Sequence, residues 1–466
     1  MRLYMYAIEF NIYFSLLMYP TLTTPLSPKL HDILTNQAGE IFSYYHTFNH
    51  HFSIYDPSQL HTNIQSFQSI LTKRDLNASI YMAHKANDHC SFLGQAKTSG
   101  ISIEVASLAE LTDVLDHGFT GQDIIAGGIK NTAYLIKAME VGAIIVVDGV
   151  YEIEAIQMLA TAPVHLLYRV NHPTITGRSI KTKTTKFGMH PDEIVRAITT
   201  CTNPHIIHRG LHLHTDENSV SIRATMIWSV FSLLVSLADH LIDPILDIGG
   251  GRGWSMYDET SVSQYLSRLT TQFQAKKSTL TRGEFAFGLS RTKDGTIANL
   301  ERVRASFPTR QGRDFLDAVL QEEIAGCVLG NVLADSGAQI VFEPGGSLLM
   351  GAGMTVLPVI GTKILDSGEE TVIVDANIHN ISAKMIEYYA DPILLSEHGN
   401  NSTDGWRGFV TGNLCRPDDV LIRRCVSLSH KPQRGDLLVL PNTAAYIAHF
   451  DNAQPHRHSL GEEIAM

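Results

Sequence analysis

The sequence predicts an α/β fold, a (β/α)8 barrel of the TIM type followed by a C-terminal all-β domain. Three observations carry that prediction. Eight short apolar, β-branched runs fall between residues 78 and 346, most of them separated by segments with helical spacing. Near-continuous apolar strands alternating with helices indicate a parallel sheet buried on both faces, and eight such units indicate a closed barrel. After about residue 355 the helical spacing stops, and strand-like runs follow one another with Gly and Pro between them.

In chain order the barrel strands are read in ASIYMAHKAN (78–87), ISIEVAS (101–107), DIIAGGI (123–129), AIIVVDG (143–149), HLLYRVN (165–171), HIIHRGLHLHT (205–215), DPILDIGGG (243–251) and QIVFEPGG (339–346). SLAELTDVLDHGF and YEIEAIQMLA supply helices between them. Residues 255–335 form a long, Arg- and Lys-rich excursion, read as a helical insertion over the barrel mouth. TVLPVIGTKIL, ETVIVDANI, DVLIRRCVSLS and DLLVLPNTAAYIAHF are the strands of the β domain, and HHFSIYDP (50–57) reads as an early strand that joins it. The expected division is an extension at 1–40, the joining strand at 41–57, the barrel at 58–354 and the β domain at 355–466.

Composition narrows the function. The 466 residues suit two domains, and the apolar share of 44% allows a core large enough to bury a cofactor. A formal charge of -11 argues against nucleic acid as a partner, because phosphate backbones select Lys/Arg surfaces. The five cysteines are scattered and without CxxC spacing, so a reduced, cytoplasmic setting is expected. The apolar run at 3–18 is interrupted by Glu9 and is shorter than a membrane span, so an extension rather than an anchor is expected.

In a barrel, chemistry sits where strands end. Lys85 closes the first strand, as a desolvated amine nucleophile or as a lysine snorkelling to solvent. Gly249, Gly250 and Gly251 follow the DPILDI strand, as a phosphate cradle or as a tight turn. Glu343 closes the eighth strand, where a carboxylate could hold a protonated ring nitrogen or cap backbone amides. His212 and His214 alternate and so share a face. They could begin a zinc site or form a core-and-surface pair.

Together these motifs resemble the alanine-racemase-fold decarboxylases, the diaminopimelate and ornithine/arginine decarboxylase group. YMAHKAN is similar to the family's Schiff-base lysine segment, and Glu104-Val105-Ala106-Ser107 with Glu110 to its D-V-A-S-x-x-E. IIAGGIKN, IIVVDGVYEIEAI, YRVN, KFGM, LHLHTDE, DIGGGRG, EPGGS, GNLCRPDD and RGDLLVLPNTAAY follow in the family's order, from about residue 52 to 448. Asp216 and the PNTAAY-x-x-H ending are shared with a divergent Y4yA-type branch.

The resemblance implies a type III pyridoxal-phosphate fold and an amino-acid decarboxylase. It implies Lys85 as the Schiff-base residue and His214 stacked on the cofactor ring. Gly249, Gly250 and Gly251 would hold the phosphate and Glu343 the pyridine nitrogen. Glu104, Arg169 and Tyr446 would also line the cofactor. Cys415 would reach in from a partner subunit as proton donor, which implies a homodimer with shared sites. Arg416 and Asp419 would face the substrate. Three positions depart from the family. Gly346 replaces a phosphate-binding arginine, for which Arg252 could compensate. Glu217 replaces a phosphate-binding serine and would repel unless turned away. Arg416 replaces an acidic residue that holds a distal amine, which favours a substrate with a distal carboxylate over diaminopimelate, lysine or ornithine. The alternatives are an amino-acid racemase on the same fold, a non-catalytic pyridoxal-phosphate carrier and a zinc amidohydrolase built on His212 and His214. No membrane partner is expected.

Overall fold

The computed structural model describes residues 21–466 apart from 172–184, 252–256, 276–279, 283–285, 311, 385–386, 398, 400–403, 449 and 451–452. The apolar run at 3–18, Arg252 and the final histidine of PNTAAY-x-x-H lie outside the described residues. The chain divides into two compact units. One comprises Leu60–Gly253 and Arg310–Leu349, and the other Met1–Gln59, Trp254–Thr309 and Met350–Met466.

The first unit is a closed eight-stranded barrel. Its strands are Ala78–Ala83, Ser102–Val105, Ile124–Ala126, Ile144–Val147, Val164–Arg169, Ile206–His212, Ile245–Asp247 and Gln339–Phe342. They are the eight read from the sequence, each trimmed to its apolar centre. All neighbours pair in parallel, and Gln339–Phe342 closes the ring by pairing with both Ala78–Ala83 and Ile245–Asp247. Six strands each send one side chain into a shared interior cluster: Tyr81, Ile125, Val146, Leu167, Ile245 and Val341. Helices such as Leu108–Asp116, Val150–Leu159 and Val220–Ser236 cover the outside. A buried Lys130 ties a loop and a strand to a helix. Its ammonium donates to the Gly128 and Val146 carbonyls at 2.6 Å each and lies 3.1 Å from Glu152 Oε2.

The second unit is built on an eight-stranded sheet whose central strand is Gly353–Ile364. Phe52–Tyr55 pairs antiparallel with that strand, so the early strand does join the β domain. Glu462–Ala465 then lies parallel to Phe52–Tyr55 on its other side. Two helices, Pro28–Asn36 and Ala38–Phe48, bury Leu30, Ile33, Leu34, Ile41 and Phe42 against Phe52, Ile54, Met354, Val356, Leu437 and Val439. Residues 28–48 are therefore core-forming helices rather than an appended extension. Residues 255–335 do not form one insertion either. Trp254–Thr309 sorts with the sheet unit, while Arg310 onward supplies the barrel helices Gly312–Gln321 and Leu329–Asp335. No helix among the described residues is long and apolar enough to cross a membrane.

A buried histidine makes the sheet unit sensitive to acid. His51 is 4% exposed. Burial lowers its pKa to about 4, helped by the neighbouring His50 charge and opposed by Asp375, whose carbonyl lies 3.1 Å from Nδ1. Between pH 6.5 and 4 the unfolded chain binds this proton and the folded chain does not. Stability should therefore be retained above that window and fall through it, by about 3 kcal/mol for this group. His51→Gln should flatten the loss in urea titrations across the window; parallel loss in parent and variant would show that another group is responsible.

Candidate active site

Lys85 sits in the single turn His84–Ala86 that ends the first barrel strand. The turn is pinned on both sides. His84 Nε2 lies 2.8 Å from Asp113 Oδ2, and the Asn87 side chain accepts the His89 N–H at 2.8 Å. Lys85 Nζ donates to Glu104 Oε2 at 2.7 Å. The Ala83↔Glu104 register across the first two strands sets that distance. The lysine side chain is 30% exposed and the carboxylate 5%, so a buried anion holds an amine that remains reachable.

Local chemistry fixes Glu104 in turn. Ser107 accepts the Glu110 N–H at 3.1 Å, and the Glu110 carboxylate accepts the Ala106 N–H at 2.7 Å. This reciprocal pair starts helix Leu108–Asp116 directly after the strand. Gly127 faces the carboxylate from the next strand, where a Cβ would stand 2.5 Å from Glu104 Oε1.

A second buried carboxylate, Glu343, follows the closing strand. Its Oε2 lies 3.3 Å from His212 Nε2 and 3.9 Å from His214 Nδ1. Burial pushes the Glu343 pKa up, but the charges of His212, Lys85 and His214 and the His212 hydrogen bond outweigh burial and hold it well below the usual range. Asp247 goes the other way. Burial and the Glu343 charge push its carboxyl well up, although its Oδ1 accepts the Gly249 N–H at 2.8 Å. The two neighbouring buried carboxyls are thus pushed in opposite directions. Burial and the Lys85 charge also push the His214 imidazole well below its usual value, leaving a neutral ring at the strand end.

The glycine loop follows Asp247. A Cβ on Gly250 would stand 2.2 Å from the Glu343 carbonyl oxygen. Gly251, at φ +138°, would place one 2.9 Å from Arg223 Nη1. Only glycine fits either position. Glu217 is turned onto the adjacent helix start, where Oε1 accepts the Ser219 N–H at 2.7 Å. Arg169 ends its own strand with Nη1 3.6 Å from Asp148 Oδ1 and its guanidinium 4.4 Å over the Phe187 ring.

The barrel therefore collects Lys85, Glu104, His212, His214, the glycine loop and Glu343 on its strand ends. The other named residues belong to the sheet unit. Cys415 is exposed. Arg416 holds Asp418 with two hydrogen bonds, at 3.0 and 2.9 Å, and Lys384 lies 3.4 Å from the same carboxylate. Tyr446 is half-buried, at φ +63°. Asp419 corrects the sequence reading. It is buried, and its two oxygens accept the Leu414 and Ile378 N–H groups at 2.8 and 3.0 Å. Its carboxylate shapes the loop and is not free for a substrate. Sequence reasoning also passed over Asp148, Asp247 and Arg223. The two aspartates end apolar strands and carry that signal; Arg223 stands inside an apolar helix and carries none.

Residues 58–282 match the family model for the pyridoxal-binding domain of pyridoxal-dependent decarboxylases. The barrel resembles that domain over those residues. The y4yA protein of Sinorhizobium fredii is 25% identical over 438 residues, covering 92% of this chain and 90% of its own. A diaminopimelate decarboxylase of Deinococcus radiodurans is 26% identical over 377 residues, 79% of each chain. Among solved structures, the diaminopimelate decarboxylase of M. jannaschii in complex with L-lysine superposes with a TM-score of 0.68 at 18% identity, covering 91% of this chain and 89% of that one.

The residues present in the barrel fit a pyridoxal cofactor. The amine of Lys85 is reachable, Glu343 is an ionised carboxylate, and His214 is a neutral ring. The Gly250 and Gly251 N–H groups have no acceptor among the described residues. Gly250→Ala should drive the loop off Glu343, at about 1–3 kcal/mol of overpacking. Pyridoxal phosphate binding, followed by absorbance, should weaken with it. Unchanged affinity would remove the loop from the cofactor site.

Proposed function

We propose that the chain decarboxylates a small amino acid, with pyridoxal phosphate held on Lys85. The observation that carries this reading is the 2.7 Å contact from Lys85 to the buried Glu104, on the same strand-end ring as the ionised Glu343. Lys85 would supply the amine for the cofactor's aldehyde. Glu343 would hold a proton on the ring nitrogen, because an ionised, buried carboxylate gains most from a cationic partner. His214 would stack on the ring. Arg169 would face the phenolic oxygen, the loop of Gly249, Gly250 and Gly251 would take the phosphate through the N–H groups of the last two, and Tyr446 would approach it. When bound, the cofactor supplies an electron-accepting ring for the electron pair left as carbon dioxide departs.

The residues of the sheet unit complete the proposal. In a homodimer with shared sites, Cys415 returns a proton from Sγ to Cα of the product. Arg416 and Lys384 both engage the carboxylate of Asp418. An arginine at 416, where the resembled family carries an acidic residue, favours a substrate with a distal carboxylate over a diamine. The five free cysteines fit a cytoplasmic setting. His212, His214 and Glu343 do place three metal-ligating atoms within 4.8 Å of one another, and metal analysis of the purified protein separates the zinc reading from this one.

Two measurements test the proposal. Borohydride reduction followed by peptide mapping should leave a pyridoxyl label on Lys85, and Lys85→Ala should abolish both the label and carbon dioxide release from an amino-acid panel that includes acidic members. A label elsewhere sinks the assignment; loss of optical activity without carbon dioxide points to racemisation. Cys415→Ala should slow product formation on the order of 100-fold while the cofactor's visible absorption persists. Turnover at the parental rate would remove Cys415 from the reaction.

A further inference from the structure

Arg223 lies on the helix Val220–Ser236 and is 5% exposed. A buried guanidinium ordinarily meets a carboxylate. This one forms no ion pair among the described residues. It donates instead to three backbone carbonyls: Thr215 at 2.5 Å, Ile248 at 2.8 Å and Gly250 in a short contact. Burial lowers its pKa to about 10, against the opposing charges of Asp216, Glu217 and Asp247. A cation is therefore held beneath the glycine loop with its charge uncompensated at contact distance.

The three contacts also fix direction. In a planar trans peptide the N–H points opposite the C=O. With the Gly250 carbonyl on Arg223, the Gly251 N–H faces away from the guanidinium. With the Thr215 carbonyl on Arg223, the Asp216 N–H does the same. Neither N–H has an acceptor among the described residues. By contrast, the Gly249 N–H, opposite the Ile248 carbonyl, is already taken by Asp247. Arg223 also lines a largely apolar cavity with Gly249, Gly250, Gly251, Phe315 and Ser347. The Ser347 hydroxyl makes no hydrogen bond among the described residues.

We propose that Arg223 is the positioning residue of the phosphate subsite. It turns the Gly251 and Asp216 N–H groups toward the cofactor's phosphate ester and supplies the charge that Gly346 lacks, while Ser347 adds a hydroxyl to the same cavity. The proposal rests on the pyridoxal phosphate reading and goes beyond it by assigning the phosphate to a residue outside the recognised motifs.

The test compares a ligand that carries the phosphate with one that does not. Cofactor-stripped full-length protein is titrated with pyridoxal phosphate and with pyridoxal, both followed by absorbance, and with inorganic phosphate as competitor. Arg223→Met should weaken pyridoxal phosphate about 10- to 100-fold and pyridoxal about twofold or less. Arg223→Lys, which keeps the charge but not the fork, should fall between parent and Arg223→Met. Ser347→Ala should weaken pyridoxal phosphate selectively as well. Equal weakening of both ligands means that Arg223 only braces the fold, and this overturns the proposal. If Arg223→Met does not fold, the lysine and Ser347 variants decide by the same ratio. A parent protein that binds neither ligand overturns the cofactor reading itself, a result distinct from any change in the ratio.

Discussion

The site depends on one act of strand pairing. Gln339–Phe342 must reach across a gap of some ninety residues and insert between Ala78–Ala83 and Ile245–Asp247. Until it does, the barrel is an open sheet with two unpaired edges. Once it does, Glu343 is brought beside His212, and its N–H bonds the Gly249 carbonyl at 3.1 Å. The carboxylate, the two histidines and the glycine loop are therefore consequences of closure, not independent features. The same pairing buries Glu343 and Asp247 together, and the Glu343 charge, with burial, pushes the Asp247 carboxyl up.

On the two strands next to the closing one, the Lys85–Glu104 pair uses a different economy. A strongly buried carboxylate ordinarily costs stability unless it is paired and hydrogen-bonded. Glu104 has that partner in Lys85, and the lysine keeps a path to solvent. The pair is thus compatible with a folded barrel and still leaves an amine open to chemistry. Lys130 and Glu152 show the contrasting case. Both side chains are fully buried, and the ammonium is held by the Gly128 and Val146 carbonyls and by Glu152, so that pair braces the barrel wall.

Much of this was legible in the sequence because parallel barrel strands are apolar on both faces and end abruptly in polar residues. All eight runs were readable for that reason, and so were Lys85, His212, His214, Glu343 and the glycines at their ends. The early strand at 52–55 was readable from its β-branched and aromatic content. Less was readable where contact decides. Residues 254–309 look like any helical insertion, and only packing assigns them to the sheet unit. Ile393–Leu395 and Glu462–Ala465 are too short to stand out from flanking loop. Asp419 has the composition of a binding residue, yet two backbone amides claim it. Glu217 threatened repulsion on sequence grounds, but a helix start absorbs its charge. Arg223 was illegible because a cation in an apolar helix reads as a surface residue until its three carbonyl partners are seen.

The sheet unit sets its first strand between two late ones. Phe52–Tyr55 is flanked by Gly353–Ile364 and by Glu462–Ala465. During synthesis that early strand emerges some three hundred residues before one neighbour and some four hundred before the other. It must wait unpaired on the ribosome while the barrel condenses. Its protection in the interval falls to the two preceding helices, whose Leu30, Ile33, Leu34, Ile41 and Phe42 are the buried members of its cluster that precede it. Shortening the chain by its last five residues would leave one margin of Phe52–Tyr55 bare in the finished protein, a ready template for another molecule's backbone.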